Sequence, residues 1–338
     1  MRAISIGKGM AVAAIPFFLY FSACTTGWQG DERDFRDDMR IFVGRISDYA
    51  RETDADFIII PQNGHPILTE NGSADGTPDA DYIAAIDGVG REDLFYGYDA
   101  DDVATPAEDN ASMLAFMDLA ETQGVEVLTT DYCSTPAKMD DSYSKNEARG
   151  FISFAADSRD LDTIPTHPAA PYNEHTGDVT TLAEAKNFLY LLDPSHYTSK
   201  TEYLNAIDGT NYDLVIMDLF FEDGDGNAIA LTSADLTPLK TKANGGARLL
   251  ICYMSIGEAE DYRFYWNDSW DVGDPSWLAE ENPSWAGNYK VEYWDTEWQA
   301  VIYGSDGAYL DKILDAGFDG VYLDIIDAYE YFEEALGL

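Results

Sequence analysis

Acidic residues recur directly after short apolar runs in this chain. Asp131, Asp218 and Asp324 each follow such a run directly. Glu258, Glu260 and Asp261 lie a few residues beyond the run that ends at Tyr253. If these runs are parallel strands of a barrel, their carboxyl ends gather at one rim and the acids meet there. One carboxyl group could then stay protonated while its partner is ionised. Hydrolysis of a glycosidic bond needs such a pair.

A second interpretation applies to each of these acids by itself. An Asp at the end of a strand often caps the helix that follows, because its side-chain oxygen accepts hydrogen bonds from backbone N–H groups. The sequence leaves both interpretations open for any single residue.

Aromatic residues cluster beside the acids. Residues 253–298 contain most of the tryptophans of the chain, together with several tyrosines. Flat aromatic faces beside polar groups suit a sugar-binding cleft, because such rings are apolar and Trp and Tyr also donate hydrogen bonds. Packing in the core is the alternative explanation for a part of this cluster.

Strand-like and helix-like segments alternate along the chain. The strand-like runs are at 56–60, 94–96, 125–130, 151–154, 188–192, 214–217, 249–253 and 320–323. Helical spacing of apolar residues is found at 35–50, 108–123, 138–148, 198–207, 233–244 and 296–316. This alternation predicts an α/β fold, and eight strands favour a closed (β/α)8 TIM barrel. A doubly wound sheet is the rival, but no GxGxxG loop follows any of the runs.

The amino terminus has the features of an export signal. Arg2 and Lys8 precede a short apolar stretch that ends in the sequence FSAC at 21–24. This ending is typical of a lipoprotein signal, so we expect residues 1–23 to be removed and Cys24 to carry lipid. Residues 24–34 would be a tether, and 35–338 a single barrel domain. The protein would then be exported and anchored in the cell envelope by lipid alone.

The net charge of −43 arises because 63 acidic residues face 20 basic ones. Such a molecule repels nucleic acid, and we expect no nucleic-acid partner. Attraction of a cationic amino-sugar polymer is one interpretation of the charge, and a solvated acidic surface is the other. The four histidines lack metal-ligand spacing and no CxxC occurs, so we expect neither a metal nor a cofactor.

Several blocks of the sequence resemble glycoside hydrolase family 114, whose members are similar to endo-α-1,4-polygalactosaminidase. The longest is YMSIGEAEDYRFYW at 253–266, and others are PSWL at 275–278, WAGNY at 285–289, GFDGVYLD at 317–324 and DAYEY at 327–331. IIIPQNG at 58–64 and GREDLFY at 90–96 resemble the same relatives. The resemblance implies a barrel that hydrolyses a polysaccharide, with galactosamine-rich polymers as the candidate substrates.

The order of these blocks differs from that of the relatives. There, the PQNG block follows the block that is similar to 320–331, whereas here it comes first. This order implies a circularly permuted barrel, which a closed ring of strands tolerates. The strand near residue 57 would then pair with the strand near residue 321.

The resemblance also implies roles for individual residues. We expect Asp218 and Asp324 to be the catalytic pair, with Glu258 as a third catalytic candidate. In the polygalactosaminidases a Glu stands two residues before the acid that matches Asp324, and Tyr322 occupies that position here. The expected substrate-binding residues are Gln62, Asn63, Arg91, Glu92, Asp131, Asp157, Tyr253, Asp261, Arg263, Trp266 and Tyr322.

The tyrosine at this position leaves two further functions open. The protein could be a carbohydrate-binding lipoprotein that keeps the barrel but has lost hydrolysis, and it could also be a purely structural surface protein. Binding of sugar without release of reducing ends would identify the first, and absence of both activities the second.

Overall fold

The computed structural model describes residues 33–222 and 227–337. The expected signal segment, Cys24 and most of the expected tether lie outside these residues. In the described part of the chain, no helix has the length and apolar character that crossing a membrane requires.

The α-helices lie mostly in the regions where helical spacing occurs. Their bounds are α1 (Phe35–Thr53), α2 (Ala80–Ala85), α3 (Ala107–Thr122), α4 (Pro136–Glu147), α5 (Lys200–Asp208), α6 (Ser233–Leu239), α7 (Thr296–Ile302), α8 (Tyr309–Ala316) and α9 (Ala328–Leu336). Helix α1 begins after Asp34, whose side chain accepts a hydrogen bond from the Asp37 N–H, an arrangement typical of a helix start.

The strands fall into two groups. The strands of the first group lie at or beside the apolar runs of the sequence. They are β1 (Ile58–Pro61), β2 (Gly88–Glu92), β3 (Glu126–Tyr132), β4 (Ile152–Ala156), β5 (Phe188–Leu191), β6 (Leu214–Met217), β9 (Leu249–Ser255) and β13 (Gly320–Asp324). The others are short additions after β6 and β9: β7 (Phe220–Glu222), β8 (Ala228–Ala230), β10 (Glu258–Glu260), β11 (Leu278–Glu281) and β12 (Asn288–Val291).

Two parallel sheets form the centre of the molecule, so the fold is α/β. One contains β1, β13, β9, β6 and β5 in that order, and the other contains β2, β3 and β4. The expected pairing of the strand near 57 with the strand near 321 is confirmed, because Ile58 lies opposite Gly320 in a parallel register.

The two sheets approach each other on both sides. Between β1 and β2, the Asn63 N–H donates to the Gly90 carbonyl and the Asp87 N–H donates to the Ile59 carbonyl, both at 2.9 Å. On the other side, β4 lies near β5, where the rings of Phe154 and Phe188 are 5.7 Å apart.

Burial explains why these segments are strands. Every residue of β4, β5 and β6 is buried. Near-continuous apolar runs are typical of parallel strands that are covered on both faces, where helices pack against the sheet. Helix α1 supplies part of this cover through its buried residues Met39, Phe42, Val43 and Ile46.

The expectation of a strand at 94–96 is wrong. The strand is β2, which precedes that run and contains Gly88 and Gly90. A carbon atom added at Gly90 would lie 1.9 Å from the Tyr322 hydroxyl, so this strand needs a glycine where a strand pattern favours a large apolar residue. The run Leu94–Tyr96 is buried in the turn that follows β2.

The expected helix at 296–316 is divided in two. Residues 303–308 separate α7 from α8, and Gly304 has a φ of 105° that favours glycine. The helix expected at 233–244 ends at Leu239, one residue after Pro238. Helices α2 and α9 were not expected from the spacing of apolar residues.

Antiparallel additions cover the carboxyl ends of β6 and β9. Strands β7 and β8 form a hairpin, and β10, β12 and β11 form a small sheet. The hairpin follows Asp218, and the small sheet begins at Glu258, so both contain or adjoin acids that the sequence assigns to the chemistry.

Candidate active site

Polar side chains meet where β1, β2, β9 and β13 end. At three of these strand ends, one residue has a left-handed backbone conformation. In each case it directly follows a polar residue of the site: Gln62, Glu92 or Asp324. The left-handed residues are Asn63, Asp93 and Ile325, with φ values of 59°, 58° and 60°. Such a conformation is uncommon for a residue other than glycine, above all for a β-branched one.

The Glu92 carboxylate accepts hydrogen bonds from three side chains of neighbouring strands. Gln62 Nε2 donates at 2.6 Å and Asn63 Nδ2 at 3.1 Å, and the Tyr132 hydroxyl donates to the other carboxylate oxygen. The Tyr190 hydroxyl in turn donates to Gln62 Oε1 at 3.1 Å. These contacts fix the Glu92 side chain at the end of β2, because a carboxylate accepts hydrogen bonds through both of its oxygens.

Asp324 lies at the end of β13 with its side chain partly exposed. The Tyr253 hydroxyl donates to Asp324 Oδ2 at 2.6 Å, and the Ile325 N–H donates to Oδ1 at 2.8 Å. Burial and the negative charge of Glu92 raise the pKa of Asp324 to about 8, although the two hydrogen bonds oppose this shift. Asp324 therefore keeps its proton at neutral pH, next to a second carboxyl group.

Tyr322 lies two residues before Asp324 on β13, so its side chain is on the same face of the strand as that of Asp324. Its hydroxyl is buried and has no hydrogen-bond partner among the described residues. The hydroxyl reaches Gly90, and the ring packs edge-on against Tyr190 with centroids 5.2 Å apart. Tyr322 thus fills the interior at the position where the family resemblance implies a Glu.

Asp218 belongs to a separate network on the far side of β9. Arg263 Nη1 donates to Asp218 Oδ2 at 2.6 Å, and Arg263 Nε donates to Glu260 Oε2 at the same distance. All three side chains are largely buried. Asp218 also lines a small concavity of about 30 Å³ together with Arg263 and Tyr262.

Glu258 is held by the small antiparallel sheet. Its carboxylate accepts from Asn282 Nδ2 at 2.8 Å and from Asn288 Nδ2 at 3.4 Å, and Lys290 Nζ lies 3.4 Å away. The residue is only 1% exposed. In this conformation the Glu258 carboxylate holds β10 against β12 and is shielded from solvent.

Asp131 faces away from the other acids. Its carboxylate is fully buried and accepts from the Phe95 and Tyr96 N–H groups, the Ser142 hydroxyl and Asn146 Nδ2. These contacts hold the turn after β2 and helix α4 against β3. They are the contacts of a structural anchor.

The remaining residues that the sequence assigns to substrate have contacts of their own. Asp157 is half-buried and accepts from the Thr163 hydroxyl at 2.6 Å. The Asp261 N–H donates to the Gly287 carbonyl. Burial lowers the pKa of Arg91, and the nearby carboxylates of Asp93 and Glu92 oppose that change.

Most of the clustered tryptophans pack on one another. Trp266 stacks on Tyr289 at 5.0 Å, and contacts continue from Trp266 through Trp270 and Trp277 to the fully buried Trp298. This chain of rings forms a small core beneath the sheet of β10, β11 and β12. Trp266 is half-buried in it.

Tyr132 and Tyr190 also belong to the site, although neither is among the residues expected from the sequence. The alternation of a strand could have found Tyr132, because successive residues of β3 point to opposite faces. Asp131 points to helix α4 and Tyr132 therefore points to Glu92. The described residues contain no cluster of His, Cys, Asp and Glu suited to a metal ion.

Comparison with known proteins relates the second half of the chain to a glycoside-hydrolase family. The family model of glycoside-hydrolase family GH114 matches residues 175–338. An uncharacterized protein of Methanocaldococcus jannaschii is 37% identical over 185 residues, which is 54% of this chain and 49% of that protein. An uncharacterized protein of Deinococcus radiodurans is 42% identical over 134 residues, and one of Thermotoga maritima is 39% identical over 129 residues.

These alignments cover 40% and 38% of this chain and 39% and 36% of the Deinococcus and Thermotoga proteins. The chain therefore spans about half the length of these curated relatives, or less. The matched region of the family model contains Asp218, Tyr253, Glu258 and Asp324. The match over residues 175–338 makes this part of the chain similar to glycoside-hydrolase family GH114 and supports membership of that family.

Proposed function

We propose that this protein hydrolyses a glycosidic bond, with Asp324 as the general acid and Glu92 as its ionised partner. The observation that carries the proposal is the raised pKa of Asp324, about 8, next to a second carboxyl group at the same strand ends. Two carboxyl groups held in different protonation states are the requirement for this chemistry.

The proton of Asp324 would pass to the glycosidic oxygen as the bond to the sugar breaks. Glu92 would act on the other face of the sugar ring, either as the nucleophile or as the base that activates water. Gln62, Asn63 and Tyr132 hold Glu92 in place through their hydrogen bonds.

This proposal replaces Asp218 by Glu92 as the partner of Asp324. Asp218 forms an ion pair with Arg263 at 2.6 Å, whereas Glu92 is the carboxylate with the largest effect on the Asp324 pKa. Asp218 and Arg263 would then line the neighbouring part of the cleft, where they could contact sugar hydroxyls. We assign Glu258 to the support of the cleft wall.

The substrate would be a polysaccharide outside the cytoplasm, with galactosamine-rich polymers as the first candidates. The net charge of −43 supports a cationic amino-sugar polymer, because the field of the protein attracts it. Export and a lipid anchor on Cys24 would place the protein in the cell envelope, in contact with polysaccharides outside the cytoplasm.

The fold would be a closed, circularly permuted barrel of β1, β2, β3, β4, β5, β6, β9 and β13. The pairing of β1 with β13 and the hydrogen bonds between β1 and β2 support it, since they join the first strand to the last and to the second. In such a ring, Gln62, Glu92, Tyr253 and Asp324 share the carboxyl-end rim.

Tyr322 favours one alternative, a carbohydrate-binding protein without hydrolysis. The tyrosine stands where the polygalactosaminidases have a Glu, and its hydroxyl lacks a hydrogen-bond partner among the described residues. Under this alternative, sugar would bind without release of reducing ends, and Tyr322→Glu would restore hydrolysis.

The test is an assay of reducing ends released from a partly deacetylated α-1,4-galactosamine polymer. Asp324→Asn and Glu92→Gln should each lower kcat/KM by about 100- to 10,000-fold, the range for removal of a general acid or base. Asp193→Asn is the control, because this buried acid also follows a strand but caps its own loop by accepting from the Ser195 N–H. Unchanged hydrolysis in both active-site variants would overturn the assignment.

A further inference from the structure

A second concavity lies on the side wall of the molecule, next to the one that Asp218 lines. It measures about 310 Å³ and lies between the β7–β8 hairpin and helix α8. Cavities that hold small ligands start at about 300 Å³, so this volume is sufficient for sugar units. The two concavities have Phe220 and Phe264 in common.

One face of the β7–β8 hairpin forms the floor of both concavities. Phe220 pairs with Ala230, and Glu222 pairs with Ala228. Since side chains alternate along a strand, these four residues share one face. The first pair lines the larger concavity and the second pair lines the concavity beside Asp218. The floor is therefore continuous from one to the other.

Small side chains on this face of the hairpin leave the space that the concavities occupy. Ala228 and Ala230 are both exposed, and a larger side chain at either position would rise into the concavity. On the opposite face of the same hairpin, Phe221 is buried in the core. The shape of the groove is thus a consequence of alanine at two positions of β8.

Exposed aromatic rings and charged groups border the groove. Tyr262 and Phe264 are 42% and 38% exposed, and both rings line the concavity beside Asp218. Lys312 Nζ lies 5.0 Å from the centre of the Phe264 ring, and Asp306 and Asp315 lie at the edge of the larger concavity. Apolar rings with polar groups around them suit a sugar, which has both apolar C–H faces and hydroxyl groups.

We infer that this groove, from Asp218 across the Phe220–Phe264 pair to Lys312, binds the part of the polysaccharide chain that extends beyond the cleaved bond. The inference rests on the proposed function and names a distal binding site for the same substrate. A long chain occupies the groove and the acids together, whereas a short oligosaccharide reaches only the acids. The enzyme therefore prefers polymers to short oligosaccharides.

The test fills the groove without touching the acids. Ala230→Phe introduces an aromatic ring on the hairpin face that lines the groove. Ile229→Phe is the matched control, because Ile229 is the exposed neighbour of Ala230 and lies on the opposite face of β8. The probes are the partly deacetylated α-1,4-galactosamine polymer and a short oligomer of the same sugar. Thermal unfolding of both variants checks that they fold.

Ala230→Phe should raise KM for the polymer about tenfold, the equivalent of about 1.4 kcal/mol, and leave kcat/KM for the short oligomer unchanged. Ile229→Phe should behave as the unsubstituted protein does with both probes. Phe264→Ala should repeat the effect of Ala230→Phe by removing a ring that borders both concavities. Equal behaviour of Ala230→Phe and Ile229→Phe towards the polymer would overturn the inference, and so would an equal loss with both probes.

Failure of the proposed function is recognised separately. If the unsubstituted protein hydrolyses neither probe, binding of the polymer is measured by affinity electrophoresis with the same two variants. Weaker binding by Ala230→Phe than by Ile229→Phe then supports the groove although hydrolysis is absent. Equal binding by the two variants, or no binding by the unsubstituted protein, overturns it.

Discussion

The Asp324 carboxyl group holds its proton because of its surroundings, not because of its residue type. Burial and the charge of Glu92 favour the neutral form, while the Tyr253 hydroxyl and the Ile325 N–H stabilise the charged form. The Ile325 N–H points at the carboxyl group because Ile325 has a φ of 60°. A β-branched residue in this conformation costs about 1–3 kcal/mol, so the surrounding structure must enforce it.

The raised pKa of Asp324 predicts a pH dependence of stability. The folded protein binds this proton more tightly than the unfolded chain, so the stabilisation is complete below the unfolded pKa of about 4. It is lost as pH rises through the folded pKa of about 8. The free energy of unfolding should therefore fall more steeply with pH in the unsubstituted protein than in Asp324→Asn. Urea unfolding at a series of pH values measures both slopes, and parallel curves would contradict the shift.

The sequence identifies several residues of the site through motif and strand position. Gln62, Glu92 and Asp324 follow or end strands, Tyr253 lies two residues before the end of β9, and the structure brings the four together. Their hydrogen-bond partners depend on which face each side chain takes. Asp131 ends a strand as Asp324 does, yet its carboxylate points to helix α4, and no property of the residue type alone distinguishes the two.

At the scale of elements, apolar runs predict strands wherever both faces of the strand are covered by apolar groups. Strand β2 departs from this rule, because its Gly90 faces Tyr322 and its Glu92 faces the site. In β2, a glycine and an acidic residue therefore occupy positions where a buried strand usually has apolar side chains. The antiparallel additions β7–β8 and β10–β12 are short and partly exposed, so they carry little periodic signal.

The contact between β2 and β13 gives a prediction for Gly90→Ala. The added carbon would lie 1.9 Å from the Tyr322 hydroxyl, so the variant should lose about 1–3 kcal/mol of stability through overpacking. Tyr322→Leu removes the hydroxyl and the far end of the ring. Denaturant unfolding of both single variants and the double variant should therefore show a favourable coupling. Additive losses would mean that the two side chains do not meet.

At the scale of the whole molecule, the net charge of −43 is the dominant property. Repulsion between so many carboxylates opposes the compact state, and salt screens it. The screening distance falls from about 10 Å at 0.1 M to about 3 Å at 1 M ionic strength. The sequence predicts this charge completely, because it depends on composition and not on the fold.

The charge predicts that salt stabilises this protein. The Tm should rise by several degrees between about 0.1 M and about 1 M NaCl, because screening weakens the repulsion between surface carboxylates. A thermal scan at several salt concentrations measures this change. A Tm that is constant or falls with salt would show that the ion pairs of the surface outweigh the repulsion.

The central claim, a raised pKa of the Asp324 carboxyl group, can be tested by titration of the protein in the absence of substrate. The carboxyl carbon of Asp324 is followed by 13C NMR, with its resonance assigned as the one that Asp324→Asn lacks. We predict a midpoint of about 8 in the unsubstituted protein and a lower midpoint in Glu92→Gln, where the negative neighbour is removed. A midpoint of about 4 in both proteins, the value of an ordinary aspartate, would contradict a protonated acid at this position.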